Sequence, residues 1–326
     1  MDNQRLRAAT TSKYPTMNQH FRPAQTAATI ALLALALSPA AGRADTPPPN
    51  DGHRYVSVGG QADHQHDQQL LSTLSLPVGQ QAWVQAGVGE SRSGHAAGGR
   101  KPGILTGGVG AAGHAMQLTV SASHRADGNK YRQTDLGSSL DWRKDGNVVG
   151  LDMTHRNSRA SGTVAVANGQ GGSTNAPALA RISGNGVGVH GTLQATEHVS
   201  VYGTVARNHY KSTTQQGDPA APGGLLGINP VLARALLGGT SVVNRDEAAL
   251  DHSAMAGASY RWDKVAVSGE YTTGQVHDGG GAMRSVELKA AVDVVPGWRV
   301  APGVGRGSSD LGGHATFASL SATYGW

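Results

Sequence analysis

Apolar and polar residues alternate along most of the chain beyond residue 53. In HAMQLTVSASH, Met116, Leu118, Val120 and Ala122 fall on one face, and Gln117, Thr119, Ser121 and Ser123 on the other. NVVGLDMTHR sets Val149, Leu151 and Met153 against Gly150, Asp152, Thr154 and Arg156. DKVAVSGEYTT sets Val265, Val267 and Tyr271 against Ala266, Ser268, Glu270 and Thr272. In SVELKAAVDVV, Val286, Leu288, Ala290, Val292 and Val294 oppose Glu287, Lys289, Ala291 and Asp293. A period of two with one apolar face predicts strands that are buried on one side only.

Strands of this kind are expected to start near Arg54, Leu70, Ala82, Ile104, Ala115, Arg132, Val148, Arg181, Val199, His252, Lys264, Met283, Trp298 and Ala315. They run longer than the five or six residues usual in soluble sheets, and about as long as a tilted strand needs to cross a bilayer. The links after even-numbered strands are tight: PVGQQ, AAGH, RKDGN, ATEH, WDK and VPGW. Gly, Pro and Asp-Gly suit turns for definite dihedral reasons. The links after odd-numbered strands are longer or richer in glycine and charge, the largest covering 162–175 and 212–250. Short turns at one end and long loops at the other predict an all-β fold, a closed antiparallel transmembrane β-barrel. The count is about fourteen strands, with twelve or sixteen as the alternatives, short turns being periplasmic and long loops extracellular.

The N-terminal region reads differently. An apolar run over 27–37 is followed by Ser38 and Pro39 and by the small residues Gly42 and Ala44, with Arg22 before it. This is the pattern of an export signal, and the run is shorter than the ~20 residues of a membrane-spanning helix. The expected division is a signal peptide over 1–44, with Met17 as an alternative start, a Pro-rich tail over 45–52 and a barrel over 53–326. Charge changes little in this picture. The formal net charge is +5, but five of the 27 basic and one of the 22 acidic residues lie in the first 44, which leaves 22 against 21. No nucleic-acid footprint is expected from that balance. Cysteine is absent, which removes disulfides and thiolate chemistry.

In the last predicted strand Ala318, Leu320, Ala322, Tyr324 and Trp326 share one face, and Ser319, Ser321, Thr323 and Gly325 the other. The segment LSATYGW resembles the assembly signal of Gram-negative outer-membrane β-barrel proteins, whose last strand alternates apolar positions and ends on an aromatic residue. The resemblance implies residence in the outer membrane, contact with its lipid, and recognition of Leu320, Tyr324 and Trp326 by the barrel-assembly machinery. Trp142, Trp262 and Trp298 are expected to join Tyr324 and Trp326 in an interfacial girdle.

Candidate chemistry lies on the polar faces. Asp135, Asp141, Asp152, Arg156, Arg261, Glu270, Glu287, Lys289, Asp293 and Arg299 are expected to line a pore, since opposed rows of charge select solutes in wide channels. Gly186, Gly188, Gly203 and Gly305 are expected to leave space in that lumen. Within 212–250, GLLGINPVLARALLGGTS offers Asn229 as a cap, Pro230 at the first helical position, and Val231, Leu232 and Leu236 on one helical face. A short helix there either constricts the mouth or lies over the rim. His64 and His66, flanked by Asp63 and Asp67, carry metal-ligand chemistry, but two close histidines without a third ligand read as a hydrated polar loop. No nucleophile motif of the G-x-S-x-G kind occurs, so no enzyme activity and no cofactor are expected. A barrel of this size is wider than eight-stranded barrels filled by side chains. The leading expectation is a passive channel for small polar solutes. The alternatives are a non-conducting surface, structural or adhesive barrel, and an accessory barrel for polymer export.

Overall fold

The computed structural model describes residues 54–92, 101–128, 130–167, 173–216, 248–277, 281–310 and 313–326. They form fourteen antiparallel strands: β1 (Tyr55–Asp63), β2 (Gln68–Val78), β3 (Ala82–Arg92), β4 (Gly103–Ala112), β5 (Met116–Asp127), β6 (Tyr131–Lys144), β7 (Asn147–Ala167), β8 (Ser173–Gln194), β9 (Val199–Gln216), β10 (Leu250–Trp262), β11 (Val265–Val276), β12 (Ala282–Val295), β13 (Trp298–Ser309) and β14 (Gly313–Gly325). Each pairs with its sequence neighbours, and β14 pairs with β1 from Tyr55↔Gly325 to Asp63↔Phe317, so the sheet is closed. Closure leaves no strand edge, the condition for a sheet to exist in lipid. No described helix is long and apolar enough to cross a membrane.

Register fixes which side chains share a face, because directly paired residues point the same way. Val149, Leu151 and Met153 on β7 face outward and exposed, paired with outward Trp142, Leu140 and Ser138 on β6 and with Gly191, Val189 and Val187 on β8. Tyr260, Val267, Tyr271, Leu288 and Val304 continue the apolar band around the wall. The opposite positions face the lumen. Trp298, Tyr324 and Trp326 form one aromatic group near the short turns, with ring centroids 5.0 Å and 5.8 Å apart, and Tyr260 and Trp262 another at 5.5 Å.

The short turns fall where the sequence predicts them. Asp145 and Gly146 both have positive φ, 51° and 79°, the geometry that matches a two-residue hairpin to strand twist. The far end departs from expectation. Much of the loop predicted over 162–175 is strand, because β7 and β8 run for 21 and 22 residues. Several far-end links are short; β5 and β6 are separated by only 128–130. The wall itself is extended there. Beyond the lipid both faces of a strand meet water, so the period-two signal disappears while the backbone ladder continues. The expected signal peptide, the Pro-rich tail and the helical candidate Asn229, Pro230, Val231, Leu232 and Leu236 lie outside the described residues.

Candidate functional site

The lumen wall concentrates the charged side chains of the spanning strands. Aspartates at alternate positions of β6 and arginines on β5 and β7 share the inward face. Asp135 is the hub of the upper group. Arg156 on β7 grips it with two bonds, Nε to Oδ1 at 2.8 Å and Nη2 to Oδ2 at 3.2 Å. Gln133 Nε2 donates to Asp135 Oδ2 at 2.6 Å, Tyr131 Oη donates to Gln133 Oε1 at 2.6 Å, and Arg125 Nη1 lies 3.6 Å from Asp135 Oδ2. The remaining Arg156 nitrogen, Nη1, donates to the carbonyl of Ala248. Asn208 Nδ2 donates to the carbonyl of Leu250 at 2.6 Å, and the His277 amide donates to Ala249 O at 2.8 Å. The segment that enters β10 from the long 217–249 link is therefore held inside the mouth by three groups on β7, β9 and the end of β11.

Apolar packing holds the same segment. Ala249 packs on a buried cluster of Tyr131, Ala160, Ala178, Ala180 and Ile182, and Ala248 and Leu250 pack with Val276 and Met283. Below it is a cavity of about 460 Å³, walled in part by Ser121, Ser123, Asp152, Thr154, Ala206 and Tyr210.

Nearer the short turns, Asp141 accepts from Ser139 Oγ at 2.7 Å and from Arg143 Nη2 at 3.3 Å. His190 on β8 lies between two carboxylates, with Nε2 3.2 Å from Asp141 Oδ1 and Nδ1 2.8 Å from Asp152 Oδ2. Across the barrel Glu270 and Glu287 are directly paired. Lys289 Nζ sits 3.0 Å from Glu287 Oε2, and Ser319 Oγ donates to Glu287 Oε1 at 2.8 Å. Arg299 clasps Asp293 through Nε at 2.7 Å and Nη2 at 3.0 Å. Arg261 has the inward register, but it belongs to the last pairs before the turn and is exposed.

Inward glycines explain how large side chains fit against this wall. A Cβ on Gly110 would stand 2.0 Å from Trp83 Cζ2, one on Gly150 2.3 Å from His190 Cε1, one on Gly186 1.7 Å from Asn208 Oδ1, and one on Gly305 2.3 Å from Phe317 Cζ. Each glycine is the bed on which a bulky neighbour lies flat. This corrects the expected role of Gly186 and Gly305, which are covered and do not open space. Gly203 pairs with outward Ala256 and faces the lipid. Gly188 lines the cavity as expected.

His64 and His66 lie in the turn between β1 and β2. His64 Nδ1 accepts from the Thr316 amide at 3.3 Å, and His66 has φ 69°. Asp63 Oδ1 accepts from the amides of Gln65 and Asp67 at 2.8 Å and 2.9 Å. Both aspartates are buried, so the turn is closed on its carboxylates, while His64 and His66 are exposed. Among the described residues no group of three or more His, Asp or Glu side chains is arranged to hold a metal ion.

Sequence reasoning missed Arg125, Tyr131, Gln133, His190 and Trp83. Trp83 was legible, since Val84, Ala86 and Val88 alternate outward and leave it inward. Contacts that cross from strand to strand, such as His190 to Asp141 on β6, need the register.

No family model and no curated protein matches the chain. Solved structures do. A Pseudomonas aeruginosa FadL homologue aligns with TM-score 0.54 at 10% identity over 84% of this chain and 90% of its own. The CymD monoaromatic hydrocarbon channel aligns with TM-score 0.51 at 10% identity over 85% and 89%. A deletion mutant of the TodX monoaromatic hydrocarbon channel aligns with TM-score 0.50 at 10% identity over 86% and 91%. At such identity the likeness is one of fold, that of outer-membrane β-barrels spanning the membrane with strands.

Proposed function

We propose that the chain is a passive outer-membrane channel for small polar solutes, with its charged lumen acting as the selecting surface. The observation that carries this reading is the cavity inside a closed fourteen-strand wall, to which Ser121, Ser123, Asp135, Asp152, Thr154 and Arg156 contribute the polar part of a lining that also includes Ala206, Ala248 and Leu250. Structural neighbours described as monoaromatic hydrocarbon channels support a conducting barrel. Their cargo does not suit this wall. An apolar ring passing Asp135, Asp152 and Arg156 would displace water from charged groups without replacing its hydrogen bonds, which is costly. A hydrated ion or a small hydroxylated solute meets both donors and acceptors along the same path.

The loop root at Ala248–Leu250 supports a constriction at the mouth, set by Arg156 and Asn208. Reconstitution in a planar bilayer tests the proposal. Stepwise conductance with ion selectivity is expected. Silence from barrels shown to be closed by gel mobility would overturn it in favour of a non-conducting surface barrel.

A further inference from the structure

The outer wall carries a second charged feature that the lumen does not explain. At the long-loop end of β6–β9, Arg132, Arg159 and Arg181 occupy adjacent strands in directly paired positions, Arg132↔Arg159 and Arg159↔Arg181. Lys211 on β9 pairs with Ser183, two residues along. All four cations are exposed and line a shallow groove of about 560 Å³ together with Asn157 and Ser183, and none of the described residues lining it is acidic. Like charges directly opposite one another on a sheet are destabilising. Three arginines in a row are therefore an unfavourable choice unless an anion lies across them.

Their height identifies the anion. On β7 the outward residues run Val149, Leu151, Met153, His155, Asn157, Arg159, so apolar positions give way to polar ones and then to charge. Arg159 lies ten positions beyond Val149. At about 3.3 Å per residue and a strand tilt of about 40°, that is roughly 25 Å along the membrane normal, the height of the apolar band of such barrels. β8 repeats the order from Leu193, Val189 and Val187 through Asn185 and Ser183 to Arg181. The row thus stands at the headgroup level of the outer leaflet, facing lipid and not the pore.

We infer that this groove binds the phosphate groups of a phosphorylated glycolipid in the outer leaflet. Guanidinium is the cation suited to phosphate, because its planar fork donates two parallel hydrogen bonds. Cations on neighbouring strands, about 4.8 Å apart across the ladder, can share one phosphate. Asn157 and Ser183 supply neutral hydrogen bonds for sugar hydroxyls. Acyl chains then hang down against Met153 and Val187, both more than 60% exposed.

The test uses the purified full barrel in detergent micelles and a bis-phosphorylated diglucosamine glycolipid, with retention followed by native mass spectrometry. The wild-type barrel is expected to hold it at least tenfold more tightly than the dephosphorylated glycolipid of the same acyl chains. Arg132→Gln/Arg159→Gln/Arg181→Gln is expected to lose that preference, whereas Arg306→Gln, an exposed outward arginine on β13, is expected to keep it. Heat-shifted gel mobility checks that each variant is closed, and the single Arg159→Gln variant serves if the triple variant fails to assemble. Equal retention of the two glycolipids by wild type, or an unchanged preference in closed triple or single variants, overturns the proposal. Full competition by millimolar inorganic phosphate would also overturn it, by making the groove a site for free phosphate.

Discussion

Replacing Arg156 by glutamine should loosen the mouth of the barrel without opening its wall. Arg156 contributes two hydrogen bonds to Asp135 and one to the backbone of the loop root. Bonds to charged groups contribute about 1.5–3 kcal/mol each in favourable settings. The full sum does not apply, because Asp135 keeps Gln133 at 2.6 Å and Arg125 at 3.6 Å, and its side chain is 23% exposed. A loss of about 2 kcal/mol in the tether is a fair scale, which is roughly a 30-fold shift in how often the root is released. Global stability should change far less, since the strands stay paired on both sides. Limited proteolysis from the long-loop side should cut within 217–247 faster in Arg156→Gln than in wild type. Single-channel traces should show more open-state noise and a higher mean conductance. Asp135→Asn should behave similarly though more weakly, because Arg156 keeps the Ala248 carbonyl. Closed Arg156→Gln barrels with wild-type cleavage rates and wild-type traces would refute the tether.

Four other outcomes are expected. The protein should fractionate with the outer membrane and shift its gel mobility on boiling, since heat is needed to break a closed ladder; a soluble periplasmic form would contradict this. Trp326→Ala should lower the assembled fraction more than total synthesis, as pulse-chase with a folding-dependent gel would reveal. Gly305→Leu should lower the urea midpoint of unfolding, because Phe317 occupies the space and overpacking costs about 1–3 kcal/mol, whereas Gly107→Ala, with its nearest contact at 3.9 Å, should be neutral. Glu287→Gln should release Lys289 from its partner at 3.0 Å and move the reversal potential in a salt gradient toward anion permeation.

How much of this was legible in the sequence follows from which force shapes each segment. Within the lipid, one face meets acyl chains and the other meets the lumen, so Val149, Leu151 and Met153 announce both strand and side. The turns were legible because Asp145-Gly146 needs a backbone few other pairs tolerate. The charges of the inner wall were legible as a face but not as a network, because Asp135, Arg125 and Arg156 come together only through the pairings Asp135↔Ser123 and Asp135↔Arg156. Glycine misled. Gly186, Gly188, Gly203 and Gly305 read as open space in the lumen, though of these four only Gly188 lines the cavity. In the folded barrel many of the inward glycines are the floor beneath Trp83, His190, Asn208 and Phe317.

The extension of β7 and β8 was the least legible feature, and its cause also measures the membrane. Above the lipid, outward residues need no longer be apolar, and His155, Asn157 and Arg159 follow Met153 on one face while Arg156 and Ser158 occupy the other. A pattern search sees only a polar stretch there and ends the strand. The backbone has no such reason to stop, since the paired strands satisfy each other's amides at any height. The position where alternation fails therefore marks where the surroundings stop requiring apolar residues, and the strands end later, at Ala167 and Ser173. On β7 the two are separated by the segment from His155 to Ala167. Only in that interval can a strand carry function on both faces at once: Arg156 turned inward to the loop root, and Arg159 turned outward to the headgroups.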